Sequence, residues 1–478
     1  MKIVDQIDST PADQLYDGDI SIKWRGNSTK YRAKHPYKIK LAEKTDLFGM
    51  GKGKHWTLLA NDLDHTQIRN QITLDFANSI GMEYTSHSKL VTLYLNNEYQ
   101  GVYELAEHVR VGESYVDIYD WKDTFGFEDD FGVCIPNSDG KIETETPQTG
   151  GFILEADFYR LRERLDGYDY SQDYLNDLIW QTDDQFTEYF QPFYFNSPVG
   201  VGVNTDLYQY TKNYIQAFEY ALHSDDFTYH AEKTYMKPEN ISVEFDENDY
   251  AIWTYDEVPS DFHCQEYDGW HYTDFFDLDS LINYFFVVET TLNWDSMKNS
   301  TFIYKDIEGK AFMGPVWDYD WAYGNINIDV DYITDTWRLL DPFYIAGENE
   351  CFFQTTQWYM YLLKDPAFIE AVYNCYHEIR DNQIQDLIDS VYYYDELLEY
   401  DCKKNDELWG GDRYTSSEIP EESFSQYTML GYEEAYDFLE KFLEERITWL
   451  DKQFESIDTL TKSFNDIHYQ NKFKQVRN

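Results

Sequence analysis

The chain has 478 residues, enough to bury a large core and more than one ordinary domain by length alone. Lys and Arg number 38 against 90 Asp and Glu, a formal net charge of −52, which argues against binding nucleic acid and against docking on an anionic membrane. That balance fits a basic protein partner, or an extracellular life in which charge maintains solubility, and 42% hydrophobic with 18% aromatic residues excludes wholesale disorder.

The opening MKIVDQIDST has no apolar run, so no signal peptide is read from it. No apolar stretch reaches the ~18 residues of a spanning helix, so no transmembrane segment is expected. Asp19–Trp24 alternates as a strand and Arg25-Gly26-Asn27-Ser28-Thr29 follows as a tight loop. Pro36–Leu41 reads as the returning strand, with Lys38 and Lys40 on one face because side chains alternate. Ten of the 38 Lys and Arg lie between Lys23 and Lys54. So basic a patch in so acidic a chain calls for an anion, and phosphate is the usual one. Gly26 and the small hydroxyl residues let backbone N–H groups approach it. A solvated basic hairpin is the other reading.

Trp56–Ala60 is short and apolar, and Asp64–Ile80 has helical spacing with Gly81 as its stop. Arg69 and Asn70 sit in its first turns. Arg69 is read as a surface residue, a second phosphate contact, or a partner for an acidic site residue. Lys89–Leu95 and Gly101–Leu105 flank the turn Asn96-Asn97-Glu98, and Glu107 and His108 follow. Residues 122–149 are polar and read as an insertion or long loop. Gly150–Glu155 returns to strand. Helices are expected over Tyr174–Tyr189 and Thr205–His223, and Pro238–Ile252 looks looped or weakly stranded.

Phe275–Leu292 is a strongly apolar helix that delivers Asn293-Trp294-Asp295. Thr301–Tyr304 and Ala311–Val316 then form a hairpin about Asp306-Ile307-Glu308-Gly309. A hairpin returns the chain to its start, so Asp295 before it and Asp318 after it should lie close. With Asn299 and Asp320 they make a hard oxygen site suited to Mg²⁺ or Mn²⁺. A solvated acidic turn is the alternative. Helices are expected over Thr355–Leu363, Pro366–Ile379, Ile384–Leu397 and Tyr432–Phe454, and then a short tail. There is no internal repeat. The five cysteines form no CxxC pair, and buried free thiols are favoured over a Cys351–Cys375 bridge.

An Asp, an Asn a few residues on, a hairpin and a second Asp is the order protein kinases use, yet GxGxxG, VAIK and HRD are all missing. The chain more closely resembles the CotH family, the spore-coat-type atypical protein kinases. The matching words are Arg25-Gly26-Asn27-Ser28, Pro36–Leu41, Leu47-Phe48-Gly49-Met50, Trp56–Asn61, Arg69-Asn70 and Gly101-Val102-Tyr103. Gly150-Gly151-Phe152, Asn293-Trp294-Asp295 and Trp317–Gly324 continue the series. They span roughly residues 18–325 in order; residues 326–478 carry no matching words.

The resemblance implies an α+β, atypical protein-kinase-like fold of two lobes. A β-rich lobe over 1–160 would grip nucleotide. A mostly helical lobe over 161–460 would carry the acidic hairpin at 286–325, and 461–478 would be a tail. It implies transfer of the γ-phosphoryl group of ATP to Ser or Thr of a protein. Asp295 and Asp318 match the family's essential acidic pair. Asp295 would orient or deprotonate the hydroxyl or hold metal, and Asp318 would bridge metal to the phosphates. Asn299 and Asp320 would complete the metal shell. Lys38 or Lys40 would grip phosphate, with Arg25, Asn27 and Ser28 in the covering loop, and Arg69 and Glu107 are grouped with them. Trp294, Trp317 and Tyr103 are candidates to stack on adenine, against ordinary core packing. The expected partner is a basic, Ser/Thr-rich protein met by a monomer. The expected place is extracellular or at a bacterial cell surface, with the leader outside this sequence, or in a spore coat. Two other functions remain open: a non-catalytic pseudokinase or binding module, and a glycan-active protein with paired carboxylates. The Arg25–Lys54 cations weigh against the last.

Overall fold

The alternation at residues 19–41 is realised as an antiparallel sheet. In the computed structural model the described residues are 1–5, 13–26, 29, 32–121, 124, 144–156, 179–181, 192–198, 201, 205–245, 251–297, 299–325, 333–340, 343–345, 352–354, 358–409 and 431–466. β1 (Lys2–Asp5) and β2 (Asp13–Asp17) form a hairpin of their own. β3 (Ile20–Trp24), β4 (Tyr37–Asp46), β5 (Lys52–Leu59), β6 (Ser88–Leu95) and β7 (Glu98–Glu107) pair in the order β3-β4-β5-β7-β6. The β6–β7 turn is tighter than expected. Asn96 and Asn97, with φ of 52° and 66°, make a two-residue turn of the kind that matches strand twist.

One face of this sheet buries Tyr37, Ile39, Trp56, Leu58, Tyr103 and Leu105 in a common cluster. Register and alternation put Lys38, Lys40, Thr57, Leu59 and Ala106 on the other face. There Leu59 and Ala106 meet Ile153, Phe302, Tyr304 and Trp317 in a second small core. That core joins the first sheet to a second one.

The second sheet contains β8 (Phe152–Ala156), β9 (Ile179–Gln181) and β10 (Pro192–Ser197). A separate hairpin, β11 (Met236–Phe245) with β12 (Ala251–Pro259), realises the stranded alternative read over Pro238–Ile252. β13 (Thr301–Lys305) and β14 (Ala311–Met313) are the expected acidic hairpin, and the strand order is β14-β13-β8-β10-β9. β13 therefore pairs with β8 as well as with β14. The Gly150-Gly151 step makes this possible, since a Cβ on Gly150 would sit 1.8 Å from the Asp306 carbonyl oxygen. Residues 179–181 are strand, not part of the helix expected over Tyr174–Tyr189; the rest of that segment lies outside the described residues.

The first helix, α1 (Arg69–Ser79), starts later than the expected Asp64. The Asp64 carboxylate accepts the N–H groups of Thr66 at 3.0 Å and Arg69 at 2.9 Å, so residues 64–68 are an acid-held turn. α2 (Asp206–Leu222) is capped by the Thr205 hydroxyl, and α3 (Leu278–Thr291) by the Asp277 carboxylate. α3 ends at Leu292, whose φ of 47° turns the chain sharply. α4 (Pro366–Ile379) has the expected limits. α5 (Gln383–Trp409) runs well past Leu397 because its end is anchored by tertiary contacts. The Asn405 side-chain oxygen accepts from Val102 N, and the Trp409 indole donates to the Gln100 carbonyl. A Cβ at Gly101, where φ is 97°, would lie 2.3 Å from that Asn405 oxygen, which accounts for the glycine there. α6 (Tyr432–Gln453) is the long C-terminal helix, and α7 (Ile457–Phe464) runs into what was expected to be tail, burying Leu460 and Phe464.

The α+β class expected from the sequence holds. Most of the insertion at 122–149, the tail beyond 466, Cys134 and Cys351 lie outside the described residues. Cys264, Cys375 and Cys402 are free thiols. No helix among the described residues is long and apolar enough to cross a membrane.

Candidate active site

Asp295, Asn299, Asp318 and Asp320 converge where α3, the β13–β14 hairpin and the segment after β14 meet. Asn299 donates its side-chain amide to the Asp295 carboxylate at 2.9 Å and its backbone N–H to the Asp295 carbonyl at 2.9 Å. The Ser300 hydroxyl donates to Asp318 at 3.2 Å. Asp318 is exposed, with the charges of Arg25 and Asp295 acting on it. Desolvation raises the Asp318 carboxyl above its ordinary range; Arg25 opposes this and the charge on Asp295 adds to it. Asp320 is raised well above the carboxylate range by desolvation, then by Asp318, Asp295 and Asp64. Three mutually repelling carboxylates call for a counter-cation.

The first sheet supplies cations. The Arg25 guanidinium lies 5.7 Å from the Trp317 ring centre, and the charges of Asp318, Glu155 and Asp320 support its ionised form against desolvation. Lys38, on the same sheet face as Leu59, acts on His108 together with Arg25. Burial, reinforced by those cations, pushes His108 down to about 3, so its ring is neutral at pH 7. His108 Nδ1 donates to the Val109 carbonyl at 2.9 Å, which leaves Nε2 as an acceptor.

Backbone strain gathers here. Of the twelve non-glycine residues with positive φ among those described, Leu292, Met297, Ser300, Asp318 and Tyr323 belong to this one region. Such conformations persist only where surroundings over-determine them. Asn70 on α1 accepts the N–H of Tyr319 at 2.5 Å, fixing the backbone between Asp318 and Asp320. Asn70 donates to Asn61, and Asn61 donates to Glu104 at 2.9 Å. Tyr323 meets the Thr73 hydroxyl at 2.8 Å, and Asn325 donates to the carbonyls of Leu63 and Asp320.

Several expected site residues lie elsewhere. Arg69 is 2% exposed and bound to Asp64, so it partners an acidic residue near the site instead of opening to a phosphate. Glu107 is on the opposite sheet face from Lys38, buried and hydrogen-bonded by His87 at 3.0 Å. Trp294 is 2% exposed beneath the Arg338 guanidinium and is a core residue, not a platform for a base. Tyr103 is likewise interior, donating to the His35 carbonyl. Trp317 is also buried, in the small core between the sheets with Arg25 over its ring, and Lys40 is half-buried on the face of Lys38. Asn27 and Ser28 lie outside the described residues.

Two site neighbours escaped the sequence reading. Glu155 follows Ile153 by two on β8, so alternation aims it at the same face, toward Arg25. His108 follows β7 at its end, and only the fold brings it to Lys38.

Among the described residues no group of three or more His, Cys, Asp or Glu side chains is placed to hold a metal ion. An open acidic pair still fits Mg²⁺, which takes one or two carboxylates and fills its shell with phosphate oxygens and water. The arrangement is thus a strained acidic centre with the Arg25 guanidinium bearing on it, in an α+β chain. The model of the CotH kinase protein family matches residues 22–190 and 204–450, and the chain belongs to that family. Among curated proteins, none matches the chain.

Proposed function

We propose that this protein is an ATP-dependent Ser/Thr protein kinase of the CotH type, working with Mg²⁺ or Mn²⁺. One observation carries the reading: Arg25, at the end of β3, bears on the Asp318 and Asp320 carboxylates and shares the neighbourhood of His108 with Lys38, beside the small core that joins the two sheets. Cations facing a carboxylate cluster suit a polyphosphate bound through metal on one side and directly on the other. The same reading places nucleotide between the first sheet and the segment that bears the acidic group.

Arg25 and Lys38, with Lys40 beside them, hold the phosphates. Asp318 and Asp320, with Asn299, would hold the divalent metal. When bound, that metal supplies charge neutralisation at the β- and γ-phosphates. Asp295, oriented by the Asn299 amide, accepts the proton of the attacking Ser or Thr hydroxyl. The oxygen of that hydroxyl forms the new bond to the γ-phosphorus as the bond from phosphorus to the departing ADP oxygen breaks. The net charge of −52 favours a basic acceptor and disfavours acidic ones. A secreted, cell-surface or spore-coat setting in a bacterium fits the composition and the family.

A thermal-shift titration tests this. ATP with Mg²⁺ or Mn²⁺ should raise the melting temperature, and ATP with chelator should not. No shift at millimolar ATP and Mn²⁺ would sink the nucleotide reading.

A further inference from the structure

Asp295 sits on a loop, and a loop holds a catalytic group in place only if its backbone is pinned. The pin comes from the part of the chain that carried no family words. Arg338 is 2% exposed. Its Nε donates to the Asn293 carbonyl at 3.2 Å, and its Nη2 to the carbonyls of Trp294 at 2.7 Å and Ser296 at 3.4 Å. The Asp295 carbonyl is taken by Asn299 N–H at 2.9 Å. All four carbonyls from 293 to 296 are therefore bound, which pins the backbone that carries Asp295.

Arg338 is itself held. Glu289 on α3 accepts Arg338 N at 2.9 Å and Leu339 N at 2.7 Å. Glu289 also pairs with Arg446 of α6 at 2.9 Å, and Arg446 donates to the carbonyls of Thr334 and Thr336. Burial pushes the Glu289 carboxyl up, while Arg446 and the two N–H donors favour its charge. The chain of contacts runs α6, Glu289, Arg338, Asp295 loop. A planar guanidinium fork can serve several carbonyls at once; a lysine ammonium on a flexible stem cannot hold the same directions.

We propose that Arg338 is a positioning residue for Asp295, setting the aim of the group that takes the acceptor proton. This inference rests on the kinase reading for its catalytic readout, but its structural half stands apart from it. Misplacing a catalytic group by ~1 Å costs about a hundredfold in rate. Arg338→Met, which keeps volume and removes the fork, should lower kcat by about that factor, with KM for ATP within about twofold. Arg338→Lys should fall between parent and Arg338→Met. Amide exchange over 293–299 should quicken about tenfold in Arg338→Met while α1 is unchanged.

A kcat within about twofold of the parent would overturn the proposal. So would unfolding of both Arg338 variants, which would leave only a structural role. A parent that binds no ATP and transfers no phosphate defeats the kinase reading instead. Unchanged exchange over 293–299 defeats the pinning whatever the parent's activity.

Discussion

Glu104 gives the fold a pH dependence that can be worked out in advance. It is fully buried on β7, and its carboxylate accepts from Asn61 at 2.9 Å. Desolvation raises it from 4.5 to about 7; Asn61 and Ser88 oppose this, and the charges of Asp64 and Asp75 add to it. A carboxyl raised on folding binds its proton more tightly in the native state. Stability from this group is therefore complete below about pH 4.5 and is lost as pH rises through about 7. At about 1.4 kcal/mol per unit, the difference between pH 4.5 and pH 8 has a ceiling of about 3 kcal/mol. Glu104→Gln keeps an oxygen for Asn61 and cannot ionise. Urea unfolding of parent and variant at pH 5, 6, 7 and 8 isolates the effect, because every other group titrates in both. The parent should lose roughly 2–3 kcal/mol relative to Glu104→Gln across that range. Parallel stability profiles would refute the assignment. Because Glu104 leads through Asn61 and Asn70 to Tyr319, its ionisation should also loosen the segment bearing Asp318.

Two further outcomes test the chemistry. Lys38→Met should weaken ATP binding by about tenfold with the fold intact, and Lys40→Met should do less, because Lys38 acts on His108 with Arg25; equal ATP affinity in both variants and the parent would move the phosphate grip elsewhere. Asp318→Asn should weaken metal-dependent ATP binding and abolish transfer together, whereas Asp295→Asn should abolish transfer of labelled phosphate to a basic Ser-rich protein and leave binding nearly intact; transfer unchanged in both would show that this hairpin is not the active site.

The sequence by itself determined the local plan. Alternation at Ile39 and Leu41 placed Lys38 and Lys40 together on the other face, because a strand has a period of two whatever surrounds it. The apolar run ending at Leu292 and the turn at Gly309 made the acidic hairpin legible, so Asp295 and Asp318 could be brought together from spacing alone. The order of short words identified the family. What only the tertiary structure decided was which of two faces a side chain serves and who holds it. Trp294 and Trp317 look alike as aromatic neighbours of an acid, yet Arg338 covers one while the other lies in the small core between the sheets with Arg25 over its ring. Arg69 could not be told from a phosphate ligand until Asp64 was seen to bind it. Arg338 and Arg446 lie more than forty residues from anything they brace, by sequence. A buried guanidinium that binds backbone carbonyls selects no particular residue type among its partners, so it leaves no motif, and only the folded chain shows what it holds.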